Sequence, residues 1–416
     1  MRISGIAVTE TPSYFEVSAR VCADACRADS LNAWFRMEKL FGPPRPWGDV
    51  FAAGFIVTAM FTGENLHIEG AISGDVRAAL QTCQALQVEW YPEMLRRVTI
   101  TADEVTRLPP VPPASEGVRG SFFSGGVDSW YTFLTERDAI SHLLMIRGFD
   151  ARIDNEGAWK HARNLLERTA ARYGKTPLFM ETNMPALGDV RSPLWSCAYF
   201  GGFWAEMQFG SLLAAAGYAL YPNIPRILVP QAFSFPGTDP HGGHPDLFRL
   251  WSTEMLSFLA HGTDVFRVDK ARLACSDDLA LKDLRVCTKS LPTGINCCRC
   301  EKCLRTMLTL AAFGVLDRAE TFPYPLEPAC VKRLPMMPQA LPEYPRVIRE
   351  LEARGEMALA EALRIAQGER FDLGRFLWTV RVRCGEWIRR LARRIVRGRK
   401  TWKPAHSSLP PRSSPE

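Results

Sequence analysis

The chain has 416 residues, of which 47% are hydrophobic and 23% are charged, a composition typical of a globular protein with more than one domain. No stretch reaches the roughly 18 uncharged apolar residues that span a membrane, and the first residues lack the apolar core of a signal peptide, so we expect a cytoplasmic protein. Residues 375–416 carry twelve Lys or Arg against two Glu, so the net charge of +6 arises at the C-terminus and the preceding body sums to −4.

Residues 1–115 predict a small mixed α+β domain. Short apolar runs, such as 55–57 and 66–68, lie beside a helical stretch at 76–90. The proline-rich segment 108–113 predicts a linker, because proline lacks an N–H donor and fixes φ.

Residues 116–317 alternate between short apolar strands and helix-length segments. Strands are expected at 118–123, 143–146 and 177–180, and helices at 129–137 and 157–173. The alternation continues through 199–216, 227–229, 253–260 and 265–268. This pattern predicts an α/β fold with a doubly wound parallel sheet.

The C-terminal part predicts helices and then disorder. Residues 318–374 form an expected helical extension, and 375–416 an expected basic amphipathic helix with a disordered tail. Such a helix can bind an anionic membrane surface, RNA or a protein partner. The alternative is a solvent-exposed helix without a binding role. The oligomeric state is open, a homodimer being one option.

A loop rich in glycine and serine lies between a predicted strand and a predicted helix, the position at which open α/β sheets bind ligands. Its glycines let the backbone approach an anion, and N–H groups at the helix start point towards it. A carboxylate there suits Mg²⁺ or a helix cap, and a plain capped turn is the alternative. The loop consists of Ser124, Gly125, Gly126, Val127, Asp128 and Ser129.

This loop resembles the signature of the PP-loop ATP pyrophosphatases, which include NAD and asparagine synthetases and tRNA thiolation enzymes. It is not a Walker loop, because no Gly-Lys-Ser/Thr follows. The resemblance implies that the loop binds the pyrophosphate part of ATP with its Mg²⁺. It also implies that the end of the next strand, near Ile146, contacts the adenine.

Five cysteines lie between residues 287 and 303 with spacings that suit a metal. Cys297 with Cys300 and Cys300 with Cys303 form two overlapping C-x2-C pairs, and Cys287 adds a further thiolate. Four thiolates complete a tetrahedral structural zinc site. An iron–sulfur cluster and reduced thiols without metal are the alternatives.

The cysteine spacing is similar to that of the 7-cyano-7-deazaguanine synthases, in which a Cys, about nine residues and Cys-Gly-x-Cys-x-x-Cys precede an Arg. Cys298 stands at the glycine of that pattern. The resemblance therefore assigns Zn²⁺ to the other four cysteines, Cys287, Cys297, Cys300 and Cys303.

The resemblance covers about residues 118–314 and implies further roles. Lys270, near a helix start, contacts the ATP phosphates and acts with Asp128 in catalysis. His244 and Asp246, in a segment similar to Asp-x-x-Gly-Tyr-Pro-Asp-Cys, contact the substrate. The Tyr-Gly-Gln stretch of these synthases is replaced by Arg-Gly-Phe-Asp at 147–150, so the resemblance does not by itself imply the deazaguanine substrate.

These features predict an AMP-forming ligase that uses ATP and adenylates a carboxylate or amide oxygen of a small-molecule substrate. A tRNA-modifying enzyme of the thiolation type is one alternative, although Cys197 is a lone cysteine without a paired redox partner nearby. An ATP-binding module without turnover is the other.

Overall fold

The computed structural model describes residues 1–39, 46–149, 151–197, 202–232, 240–287, 289, 293–336 and 338–369. The predicted basic helix and tail at 375–416 lie outside these residues. Residues 1–367 form one compact unit. None of the helices in the described ranges has the length and apolar character needed to cross a membrane.

Ten strands of the described residues form one sheet in the order β10-β9-β6-β7-β8-β3-β2-β1-β4-β5. Six of its nine neighbouring pairs are parallel. The strands are β1 (Arg2–Glu10), β2 (Tyr14–Cys22), β3 (Leu31–Glu38), β4 (Leu66–Ser73), β5 (Ile100–Thr106), β6 (Arg119–Phe122), β7 (His142–Arg147), β8 (Thr176–Thr182), β9 (Arg226–Pro230) and β10 (Ser257–His261).

Helices connect most of the strands and form the C-terminal part of the compact unit. They are α1 (Gly48–Thr62), α2 (Gly74–Trp90), α3 (Val127–Thr135), α4 (Glu156–Tyr173), α5 (Met184–Gly188), α6 (Phe209–Leu220), α7 (Pro245–Trp251), α8 (Arg267–Cys275), α9 (Asp278–Lys282), α10 (Glu301–Phe313), α11 (Pro328–Val331), α12 (Tyr344–Ala353) and α13 (Met357–Arg364). A π-helical turn, Trp204–Gln208, precedes α6.

Two hydrophobic clusters lie on opposite faces of the parallel half of the sheet. Along β7, Leu144 and Ile146 belong to one cluster, whereas Leu143 and Met145 belong to the other. Successive side chains of a strand point to opposite faces, so β7 is covered on both sides. The structure is therefore α/β with a mostly parallel sheet, which confirms the predicted α/β fold class.

The sheet continues across the domain boundary expected near residue 115. Strand β3 pairs antiparallel with β8, with Phe35 opposite Thr182 and Met37 opposite Met180. The N-terminal segment thus extends the parallel half of the sheet with mixed strand directions. The boundaries drawn at 115, 317 and 374 stay predictions.

Two of the expected elements differ in the structure. The helix-length segment at 253–260 contains strand β10, in which Phe258 is buried and pairs with Ile227 of β9. The strand expected at 265–268 is instead the approach to α8, with Phe266 in extended conformation at its N-cap. Both segments are short and apolar, a pattern that leaves strand and helix ambiguous.

Candidate nucleotide site and metal centre

The loop of residues 124–129 connects β6 to the first turn of α3, as the sequence predicts. Gly125 has a φ of 76°, and a Cβ there would lie 2.3 Å from Leu165 Cδ2, so only glycine fits. The Ser129 hydroxyl donates to Gly126 O at 2.9 Å and lies 3.4 Å from Ser124 Oγ. The first N–H groups of a helix lack an intrahelical acceptor, and such a turn is suited to anions.

This loop lies at the point where the strand order reverses. The chain adds β7 and β8 on one side of β6 and then returns to place β9 and β10 on the other. Such a reversal opens a crevice beyond the carboxyl ends of the strands. A cavity of about 390 Å³ lies there, within the usual size of small-molecule sites.

One wall of the cavity is polar and mostly cationic. Four positively charged side chains line this wall, of which Arg267 is paired with Asp128 and Arg305 with Glu301, and the wall as a whole favours a negatively charged ligand. It consists of Ser124, Asp128, Ser129, Arg267, Arg285, Lys302 and Arg305.

A second part of the cavity lining, the aromatic wall, is apolar and rich in aromatic rings. Trp204 has its ring centroid 5.1 Å from that of Phe149 and 5.4 Å from that of Phe209, in edge-on contacts. Ile146, the residue expected near adenine, also lines the cavity. This wall suits a planar ring.

Asp128 is the acid among the cations. It forms an ion pair with Arg267, whose side chain is only 9% exposed. Burial alone would raise the pKa of Asp128, but the charges of Arg267 and Lys270 outweigh it and hold that pKa below its usual range. Its Oδ1 atom is buried without a hydrogen-bond partner among the described residues, so it has the coordination capacity that Mg²⁺ requires.

Lys270 lies near the start of α8, and its side chain is fully buried. Its Nζ donates to the carbonyl oxygen of Gln231 at 2.7 Å, and Gln231 lines the cavity. Burial lowers the pKa of Lys270, while the nearby charge of Asp128 acts against that shift. Lys270 therefore places its charge behind the wall, and its contact with ATP stays a prediction.

The predicted substrate residues lie outside the cavity lining. His244 caps α7 through its Nδ1, which accepts from the N–H of Asp246, and its ring packs against Trp90. The side chain of Asp246 is 42% exposed. His241 and Gly243 of the same loop do line the cavity. Val127 is buried behind the loop.

The four cysteines assigned to zinc converge. The sulfur atoms of Cys287, Cys297, Cys300 and Cys303 all lie within 4.8 Å of one another. Cys303 Sγ is 3.8 Å from Cys297 Sγ and 3.4 Å from Cys300 Sγ. Tetrahedral Zn–S bonds of about 2.3 Å imply sulfur separations of about 3.8 Å, so the group fits a metal such as zinc.

Backbone N–H groups and a helix start support this centre. The N–H of Cys300 donates to Cys297 Sγ, and that of Lys289 donates to Cys287 Sγ, both at 3.3 Å. Cys300 is the N-cap of α10, and Cys303 lies in its first turn. Such contacts stabilise thiolates and orient them towards a metal.

Cys298 lies outside the group of four converging cysteines. It has a φ of 55°, the one left-handed conformation of a non-glycine residue in the described ranges. Its side chain is buried, and its thiol donates to Asn296 O at 3.6 Å. The glycine expected at this position from the resemblance matches that conformation.

Comparisons of the chain with protein-family models, curated proteins and solved structures gave no match. The resemblance to the PP-loop ATP pyrophosphatases stays a prediction.

The sequence analysis assigned no site role to three arginines of the cavity wall. Arg267 lies three residues before Lys270, Arg285 two residues before Cys287, and Arg305 two residues after Cys303. Only Arg305 carried a signal, as the arginine that follows the cysteine motif. Their convergence depends on tertiary structure that a local pattern does not contain.

Proposed function

We propose that the chain is an AMP-forming ATP pyrophosphatase that adenylates an oxygen of a small carboxylate or amide substrate. The observation that carries the proposal is the convergence of loop 124–129 with four cations at the switch point of the sheet.

The two walls of the cavity match the two halves of ATP. The loop and the cationic wall suit the polyphosphate, because N–H groups and fixed positive charges are already oriented before the ligand arrives. The aromatic wall, which includes Ile146, suits the adenine ring. Mg²⁺ bound with ATP would neutralise part of the charge, and Asp128 is the carboxylate suited to hold it.

The reaction proceeds by two displacements. An acceptor oxygen attacks the α-phosphorus, the bond to the bridging oxygen breaks, and its electron pair leaves with pyrophosphate. Arg267 and Arg285 stabilise the charge on that leaving group. A second nucleophile then attacks the adenylated carbon, and AMP leaves with the oxygen that the first step attached to phosphorus.

The test is pyrophosphate release by the full chain with Mg²⁺ and ATP, in parallel assays with pooled small carboxylic acids and with total tRNA. We expect pyrophosphate release in the first assay, with an equal amount of AMP once a nitrogen nucleophile such as ammonium is added. Release with tRNA alone would instead favour the thiolation-type alternative. ATP bound without turnover in either assay would favour a binding module.

A further inference from the structure

The metal centre and the cationic wall are built from the same two chain segments. Arg285 precedes Cys287 by two residues, and Lys302 and Arg305 lie on α10, the helix that Cys300 caps. Three of the four cations of the wall are therefore next to metal ligands in the chain. A metal that fixes the ligands also restricts the positions of these cations.

Asn296 joins the two cysteine segments through its side chain. It is fully buried, and its Oδ1 accepts from the N–H groups of Val286 at 2.9 Å and Cys287 at 3.1 Å. Its Nδ2 donates to Leu284 O at 2.8 Å and to Thr321 Oγ1 at 3.1 Å. One amide thus holds the backbone on both sides of Arg285.

Arg285 in turn contacts loop 124–129. Its N–H donates to Gly125 O at 2.8 Å, and its guanidinium donates to Ser124 O at 3.4 Å. The residue is buried and lines the cavity. Asn296 therefore connects Cys287 to the Leu284–Arg285 peptide group by hydrogen bonds, and the N–H of that peptide group is bonded to the loop.

We propose that metal binding by the four cysteines and polyphosphate binding in the cavity are thermodynamically coupled, and that Asn296 is the positioning residue for this coupling. The proposal rests on the proposed function, because it takes the cavity as a polyphosphate site. Coupling of this kind is reciprocal, so the anion strengthens metal binding by the same factor as the metal strengthens anion binding.

The first experiment measures pyrophosphate affinity by calorimetry on zinc-loaded chains whose metal content is checked. Asn296→Ala is expected to keep one zinc per chain and to bind pyrophosphate about fivefold or more weakly. Asn183→Ala is the matched control, since Asn183 also links two backbone groups, the N–H of Trp34 and the carbonyl of Asn32. It should bind pyrophosphate like the parental chain.

The second experiment measures zinc retention against a competing chelator, with and without pyrophosphate. We expect pyrophosphate to shift the chelator midpoint of the parental chain about fivefold or more towards retention. Pyrophosphate also binds zinc that is free in solution, which affects the chelator midpoint of every chain. The shift measured with Asn296→Ala is therefore the baseline with which the parental shift is compared. If that variant does not fold, Thr321→Val, which removes one partner of Asn296, takes its place and should show a reduced shift.

Equal pyrophosphate affinity in fully loaded parental and Asn296→Ala chains would overturn the role of Asn296 in the coupling and leave the proposed function standing. An identical chelator shift in parental and variant chains would do the same. Absence of pyrophosphate binding by the zinc-loaded parental chain would overturn both.

Discussion

At the residue scale, Cys298 differs from the four candidate metal ligands in having a left-handed backbone. A left-handed backbone costs a non-glycine residue roughly 1 kcal/mol, and Cys298→Gly removes that cost while losing a buried thiol. We therefore expect the variant to keep one zinc per chain and to unfold within about 1 kcal/mol of the parental free energy.

Elemental analysis and urea unfolding check this expectation, with Cys298→Val as the contrast, because a β-branched side chain is strained at positive φ. Zinc lost in the glycine variant would mean that Cys298 is a ligand.

Asp49 gives the fold a pH dependence. It is 2% exposed and accepts from the N–H and the hydroxyl of Ser73, the N-cap of α2. Burial raises the pKa of Asp49 to about 7, although the bonds from Ser73 act in the opposite direction. The unfolded carboxyl ionises near pH 4, so stability falls as the pH rises from about 4 to 7, by about 1.4 kcal/mol per pKa unit.

Asp49→Asn cannot ionise and should flatten this part of the profile. Urea unfolding at pH 5 and pH 8 measures the effect, and Asp138→Asn is the control, since that side chain is 99% exposed. If the parental chain and Asp49→Asn lose the same stability over this range, the pH dependence has another origin.

At the element scale, we expect the cysteine centre to act as a folding element once a metal is bound. The four sulfurs lie within 4.8 Å of one another, and side-chain contact with Cys300, together with burial, raises the pKa of the Cys303 thiol. A metal that replaces those protons makes its binding free energy part of the folding free energy. Cys300→Ser should therefore cost several kcal/mol or prevent soluble expression.

Thermal unfolding with zinc analysis measures this cost, and Cys330→Ser, outside the cluster, is the control and should behave like the parental chain. Full zinc content and parental stability in Cys300→Ser would exclude the four-cysteine assignment, as would iron with visible absorption in the purified protein.

The sequence predicted those elements whose signals are local. Strand β6, loop 124–129 and helix α3 follow one another in a short segment, and the four cysteines that the resemblance selects lie together in the structure. The positions of Arg267 and Arg285 were not predictable, because each reaches the loop across a long stretch of chain. Strand β10 was ambiguous, since a five-residue apolar strand has no length signal to distinguish it from a helix.

At the scale of the whole molecule, the shared sheet predicts one cooperative unit. Strands β3 and β8 pair across the boundary expected near residue 115, and residues 1–367 form one compact unit. We expect the most protected amides of β2–β3 and of β7–β8 to exchange with the same free energy of opening. Hydrogen exchange in increasing denaturant measures both sets. Separate opening of β2–β3 would show that residues 1–115 fold as an independent domain.

Pyrophosphate release by Asp128→Asn and by Asp138→Asn tests the proposed ATP pyrophosphatase activity most directly. Asp128 lies in the loop with an unpartnered buried oxygen among the described residues, whereas Asp138 is exposed on the surface. Loss of the carboxylate that we propose as a Mg²⁺ ligand should lower the rate by about a hundredfold or more, with the fold intact by circular dichroism. Asp138→Asn should keep the parental rate. Release by Asp128→Asn at the parental rate would contradict the account.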